Sequence, residues 1–188
     1  FGLPGAAMNV NAVDEVPNSS WFTNRIGLFP MTPKEVARGP CKDPRLTPKR
    51  GPWTITGAKT DGANPGFFIK SPQGRYLLKF DGIVSPQRPT AADVIGSRIW
   101  YAAGYFAPCN NIVYFKKDVL RIGPKAKAKD HLGRKKKLTW DDVNKVLRKG
   151  FRLKGGLIRA SASQFVPGRP IGPYRYEGTR GDDPNDVI

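Results

Sequence analysis

Histidine is nearly absent from this chain: His131 is the only one in 188 residues. A multi-histidine metal site is therefore excluded, and histidine-based catalysis has one candidate, set in a basic stretch without an obvious partner. Cysteine is almost as scarce. Cys41 and Cys109 are too few for a disulfide framework or a structural zinc site, which wants four nitrogen or sulfur ligands in close pairs. An even count permits one disulfide, but at this spacing the pair reads first as two free thiols, one of them buried. Acidic residues are also few, 15 against 32 Lys and Arg. No apolar run approaches the roughly 18 to 20 residues of a membrane-spanning helix.

What the chain does have is positive charge and turn formers. The formal charge is +17, and Gly and Pro contribute 21 and 18 residues. Irregular segments must be abundant. At 39% apolar the chain is lean but not disordered, and its length suits one ordinary domain. The charge is uneven: residues 116–154 hold 15 basic and 4 acidic side chains. Such a concentration attracts an anionic partner, whether phosphate backbone, anionic lipid head group or acidic protein. The densest part is Lys125, Lys127, Lys129, Arg134, Lys135, Lys136 and Lys137, the expected partner-binding surface. It contains no interleaved aromatics, so stacking on nucleic-acid bases has little support.

Residues 1–52 read as an extended arm and 53–188 as an α+β domain with a basic insertion at 123–138. Trp21-Phe22 is expected to anchor the arm. Thr32-Pro33-Lys34-Glu35 has the pattern of a capped helix start. Trp53-Thr54-Ile55-Thr56-Gly57, Phe67-Phe68-Ile69-Lys70 and Arg75-Tyr76-Leu77-Leu78-Lys79-Phe80 read as three strands of an antiparallel meander. Thr90 is the expected cap of a helix over 91–103 closed by Gly104, with Ile95, Ile99, Ala102 and Ala103 as its buried stripe. Further strands are expected over 111–115, 118–122 and 157–165. A basic loop covers 123–138. A second helix starts at Thr139 with Trp140, Val143 and Leu147 on its apolar face. The fold class is thus an antiparallel five- to six-stranded sheet with one packed helix, a second basic helix and a long irregular arm.

Gly57 to Gly66 fails the nucleoside-triphosphate P-loop, because Ala63-Asn64 stands where Lys-Ser/Thr is required. A hairpin loop that covers phosphates, followed by a lysine on the third strand, is the alternative used by protein kinases. In that reading Lys79, Gly62, Asn64 and Gly66 are the phosphate contacts. Asp93 is the one acid on the following helix. At 3.6 residues per turn it lies more than 90° from the Ile95/Ile99 stripe, so it is not expected to reach Lys79 if that stripe faces the sheet. Asp81 is no better placed. Asp182, Asp183 and Asp186 lack the spacing of a calcium loop and read as a terminal acidic turn.

Four words carry a family resemblance. They are Asn9-Val10-Asn11-Ala12-Val13-Asp14-Glu15-Val16-Pro17-Asn18-Ser19-Ser20-Trp21-Phe22-Thr23-Asn24-Arg25, Tyr76-Leu77-Leu78-Lys79-Phe80-Asp81, Ala91-Ala92-Asp93-Val94-Ile95 through Ala102-Ala103-Gly104-Tyr105, and Gly178-Thr179-Arg180-Gly181-Asp182-Asp183-Pro184-Asn185-Asp186. Together they resemble a family of bacterial proteins, often exported, whose architecture is distantly similar to HipA-like and phosphoinositide-type kinases. The resemblance implies an amino-terminal half with a kinase N-lobe-like sheet, ATP with magnesium as cofactor, and catalytic and metal-binding acids in chain beyond the last word. It implies a periplasmic, exported or membrane-peripheral location. The chain alone is then a nucleotide-binding lobe that is not catalytic by itself. An accessory subunit that joins a larger assembly through an acidic partner is the alternative, and a nonspecific nucleic-acid binder the third reading.

Overall fold

The computed structural model describes residues 18–19, 22–42, 45–59, 64–130 and 132–169. Three helices, α1 (Pro33–Arg38), α2 (Arg88–Ala103) and α3 (Trp140–Arg148), surround one sheet. Its strands are β1 (Trp53–Ala58), β2 (Gly66–Ser71), β3 (Gly74–Phe80), β4 (Asn110–Phe115), β5 (Leu120–Lys129), β6 (Lys135–Lys137) and β7 (Ile158–Gln164). Their order is β4-β7-β3-β2-β1-β5-β6. The α+β class and the β1–β2–β3 meander stand. The strand count and pairing do not: there are seven strands, and β1 runs parallel to β5.

The expected basic loop is largely sheet. β5 continues through Lys129 and pairs with β6. In Lys125-Ala126-Lys127-Ala128-Lys129 the alanines are buried and the lysines exposed, the period-two pattern of a half-buried strand. The expected strand at 118–122 begins later, because Lys117–Val119 forms a 3-10 turn.

The strands of the sheet divide its two faces by chemistry. One face carries the core: Trp53, Ile55, Phe67, Ile69, Leu78, Phe80, Val113, Phe115 and Ile158 are almost completely buried. Phe80 contacts both Phe67 and Phe115 at 5.5 and 5.8 Å between ring centroids. α3 closes this face with Val143 and Leu147. Its N-terminus is a capping box, in which Thr139 accepts from the Asp142 amide and Asp142 accepts from the Thr139 amide. Trp140, expected on the apolar face, is instead 40% exposed beneath the Lys117 ammonium.

α2 lies on the other face, which is polar beneath the helix. The helix starts at Arg88 after a left-handed Gln87, so Thr90 sits within its first turn and is not its cap. The buried side chains are Thr90 and Ser97, with Asp93 between them at helical spacing. Ile95 and Ile99 point outward, 58% and 61% exposed. The angle between Asp93 and the isoleucine stripe is as the sequence implies, but the opposite side of the helix docks. The reason lies in the strands beneath, where Lys79, Arg159, Ser161 and Asn110 need polar partners.

The arm is tied to this helix. Phe22 is 3% exposed and packs edge-on against Tyr105, while the Thr23 amide donates to the Gly104 carbonyl at 2.8 Å. Gly104 has a φ of +114°, and a Cβ there would collide with Phe22 and the Thr23 carbonyl. α1 begins at Thr32 with a full capping box to Glu35, as expected. Cys41 and Cys109 are not free thiols: they form a disulfide that fastens the arm to the start of β4.

If α3 closes the core and α2 does not, Leu147→Ala should cost about 2–5 kcal/mol in urea unfolding. Ile99→Ala should cost about 0.5 kcal/mol or less. Equal losses would contradict the assignment of faces.

Candidate functional site

On β3 the side chains alternate: Tyr76, Leu78 and Phe80 enter the core, and Leu77 and Lys79 face α2. Lys79 forms an ion pair with Asp93. Their side chains are 23% and 20% exposed, so the amine is held inward at the edge of solvent. The expectation that Asp93 would miss Lys79 is thus corrected, because the docked side of the helix is the one that carries the acid. The second Asp93 carboxylate oxygen, Oδ2, is buried without a hydrogen-bond partner, as is Oδ1 of Asn110. The Asn110 side-chain amide donates to the Asp93 carbonyl at 3.1 Å.

Asp81 fixes the start of the same helix. Its side chain, 2% exposed, accepts from the Thr90 amide at 3.0 Å and the Thr90 hydroxyl at 2.9 Å. Gln87 provides no side-chain cap, so a carboxylate from the end of β3 does that work for the third residue of α2. Arg159 on β7 completes the cluster with an ion pair to Asp81 at 3.0 Å and a hydrogen bond to the Thr90 hydroxyl. Further along, Ser97 donates to the Pro108 carbonyl at 2.6 Å and Arg98 to the Asn110 carbonyl.

On the same face, reached from Lys79 through Leu77 two residues back along β3, lies a largely apolar hollow of about 660 Å³ that Lys79 itself does not line. It is lined by Phe68, Leu77, Ser163, Phe165, Val166 and Pro167, among others. Phe68 and Leu77 are directly paired across β2 and β3, and Leu77 pairs with Ser163 on β7. The Arg75 guanidinium stacks over the Phe165 ring at 4.8 Å. Sequence reading missed this hollow, because its wall after β7 is built from tertiary position and not from a motif.

The proposed phosphate contacts are only partly brought together. Gly66 is the first residue of β2 and pairs opposite Lys79. A Cβ there would run into the Leu78 carbonyl, so the close pairing requires glycine. The Asn64 carbonyl accepts from Lys59 at 2.9 Å. Gly62 lies outside the described residues, as do Trp21, His131 and the acids at 182, 183 and 186.

The seven basic residues of the expected partner surface all lie on or beside the β5–β6 hairpin, and two of them are neutralised locally. Arg134 pairs with Asp130 at 2.9 Å, and Lys136 with Asp142 at 2.6 Å. Lys125, Lys127, Lys129, Lys135 and Lys137 are exposed and have no carboxylate partner among the described residues. Lys127 stands directly opposite Lys137, and Lys129 opposite Lys135. Like charges in directly paired positions destabilise a ladder, so the hairpin carries a standing demand for counter-charge.

No family model, curated protein or solved structure matches the chain. Among the described residues, no cluster of three or more histidine, cysteine or acidic side chains could hold a metal ion, and no helix is long and apolar enough to cross a membrane.

The Lys136 hydrogen bond, followed by the Thr139 hydroxyl and amide, holds the Asp142 carboxyl at about 2. A depressed carboxyl stabilises the fold above its unfolded value and ceases to do so as pH falls through the folded one. Hairpin–helix stability should therefore fall between roughly pH 4 and pH 2. Lys136→Met should raise the Asp142 value, read by carboxyl NMR titration. A value unmoved from about 2 would assign the depression to the Thr139 cap alone.

Proposed function

We propose that this chain is a kinase-like nucleotide-binding lobe. The observation that carries the reading is the inward-held Lys79–Asp93 pair beside an apolar hollow on one face of the sheet. Leu77 and Lys79 are two residues apart on β3, so hollow and amine are separated by about 7 Å along the strand. That spacing suits a flat base in the hollow and a phosphate on the amine. Asp93, paired with Lys79, holds its amine in place for that contact. Gly66, opposite Lys79, lets the β2 backbone pair closely with β3 there. ATP would be the ligand. Magnesium would need acids beyond those described, so this lobe binds and orients and does not complete a transfer step.

Two further features agree with the family resemblance. The Cys41–Cys109 disulfide fits an exported or periplasmic protein, because such bonds persist in oxidising compartments. The polar docking of α2 places an acid opposite the third-strand lysine, the pairing that kinase lobes require.

A second reading, an accessory subunit that contacts an acidic protein, is favoured by the five uncompensated hairpin lysines. They are compatible with the first reading, since the hairpin lies at the opposite end of the sheet order from β7. Nucleic-acid binding is less favoured, because neither hairpin strand carries an aromatic side chain for stacking. Anionic lipid head groups remain compatible with the same lysines.

Amine labelling tests the first reading. ATP should protect Lys79 from acylation, read by peptide mass mapping, while exposed Lys145 on α3 labels equally with and without nucleotide. Lys79→Met should weaken nucleotide binding about tenfold or more. Equal labelling of Lys79 in both conditions would contradict the reading. A separate pull-down should show that charge-reversing Lys127 and Lys137 removes capture of an acidic polypeptide such as polyglutamate. Retained capture would contradict the second reading.

A further inference from the structure

A second concave site lies between the arm and the C-terminal half of α2. Its walls include Arg25, Arg38, Lys42, Tyr101 and Phe106, and the main chain of Gly39-Pro40-Cys41 closes one side. The volume is about 580 Å³. Three cationic side chains share this cleft, and among the described residues no carboxylate lines it. The nearest acid on α1, Glu35, already bonds the Thr32 amide and hydroxyl in the capping box.

The cleft is preorganised in two ways. The Arg25 guanidinium lies over the Tyr101 ring at 4.1 Å from its centroid, a cation–π contact that positions it at the cleft wall. Its Nε is buried and has no hydrogen-bond partner. The disulfide at Cys41 holds the Gly39–Lys42 wall against the sheet. Arg98 behind this wall donates to the Ala37 carbonyl at 3.2 Å, and burial, then Arg45, pushes its guanidinium below the usual arginine value. The region is thus crowded with positive charge on both sides of the wall.

We propose that this cleft binds a soluble phosphate monoester carrying a ring. Three cations match a dianion better than a singly charged carboxylate, and a phosphate monoester carries close to two charges at neutral pH. Phe106, 51% exposed at the cleft, offers an open apolar surface to the ring, while Tyr101 is occupied by Arg25. A concave site of this size takes a small molecule and not an extended polyanion. The site is independent of Lys79 and of the β5–β6 hairpin, so its failure would leave both readings above intact.

Calorimetric titration of the whole chain with phenyl phosphate tests this. Saturable one-site binding is expected, weakened about tenfold or more by Arg38→Ala and, separately, by Lys42→Ala. Both side chains are exposed, so neither variant should compromise folding, which thermal unfolding checks. Phe106→Ala should weaken phenyl phosphate but not inorganic phosphate. Lys127→Ala with Lys137→Ala should change nothing. Absence of saturable binding, an equal loss in the hairpin variant, or benzoate binding as tightly as phenyl phosphate would each overturn the proposal. Arg38-dependent capture on phosphatidylcholine vesicles containing phosphatidate, with no binding of the soluble ester, would overturn the soluble assignment in favour of a lipid head group.

Discussion

The carboxylate of Asp81 is the point on which the functional face depends. It directly follows β3, is almost wholly buried, and joins three elements: the strand it follows, the first turn of α2 through Thr90, and β7 through Arg159. A buried charge must be paired and hydrogen-bonded to be tolerated, and here it is both. Its consequence is directional. With Asp81 bonded to the third residue of α2, the helix is set with Thr90, Asp93 and Ser97 inward, and Asp93 meets Lys79. The sheet is therefore two-sided in the chemical sense. Its apolar face supplies the stability, and its polar face supplies geometry.

Much of this was legible in the sequence, and the failures have physical causes. The three-strand meander, the α1 capping box and the second helix followed from alternation and cap residues, because those signals are local. The orientation of α2 did not. Ile95, Ile99, Ala102 and Ala103 form an honest apolar stripe, and burial of that stripe is the usual outcome. It was overridden because the strands beneath present Lys79 and Arg159, which meet Asp93 and Thr90 on the polar side of the helix. Which of two helices covers the apolar face is a tertiary decision that no helical periodicity encodes. The β5–β6 hairpin was missed for a different reason. Alternating Lys and Ala is a strand pattern, but alanine contributes so little apolar contrast that charge dominated the reading. The Cys41–Cys109 bond was likewise allowed by the count and decided by proximity alone.

Positive charge is distributed over three separate tasks in this fold. Lys79 is paired with an internal acid on the face that also carries the hollow. The hairpin lysines are stacked in opposition on an exposed ribbon. Arg25, Arg38 and Lys42 converge on a cleft beside the arm. A net charge of +17 is therefore not a uniform solubilising coat. Each cluster concentrates potential at one place on the surface, which is where an anionic ligand gains most.

The central claim is that the polar cluster at Asp81 seats α2 independently of the apolar core. Native-state amide hydrogen exchange of Asp81→Asn measures it directly. Protection across residues 95–102 of α2 should fall while the amides of Tyr76–Phe80 on β3 keep theirs, because the core face is untouched. Simultaneous loss of protection in both, or no change in α2, would contradict the account.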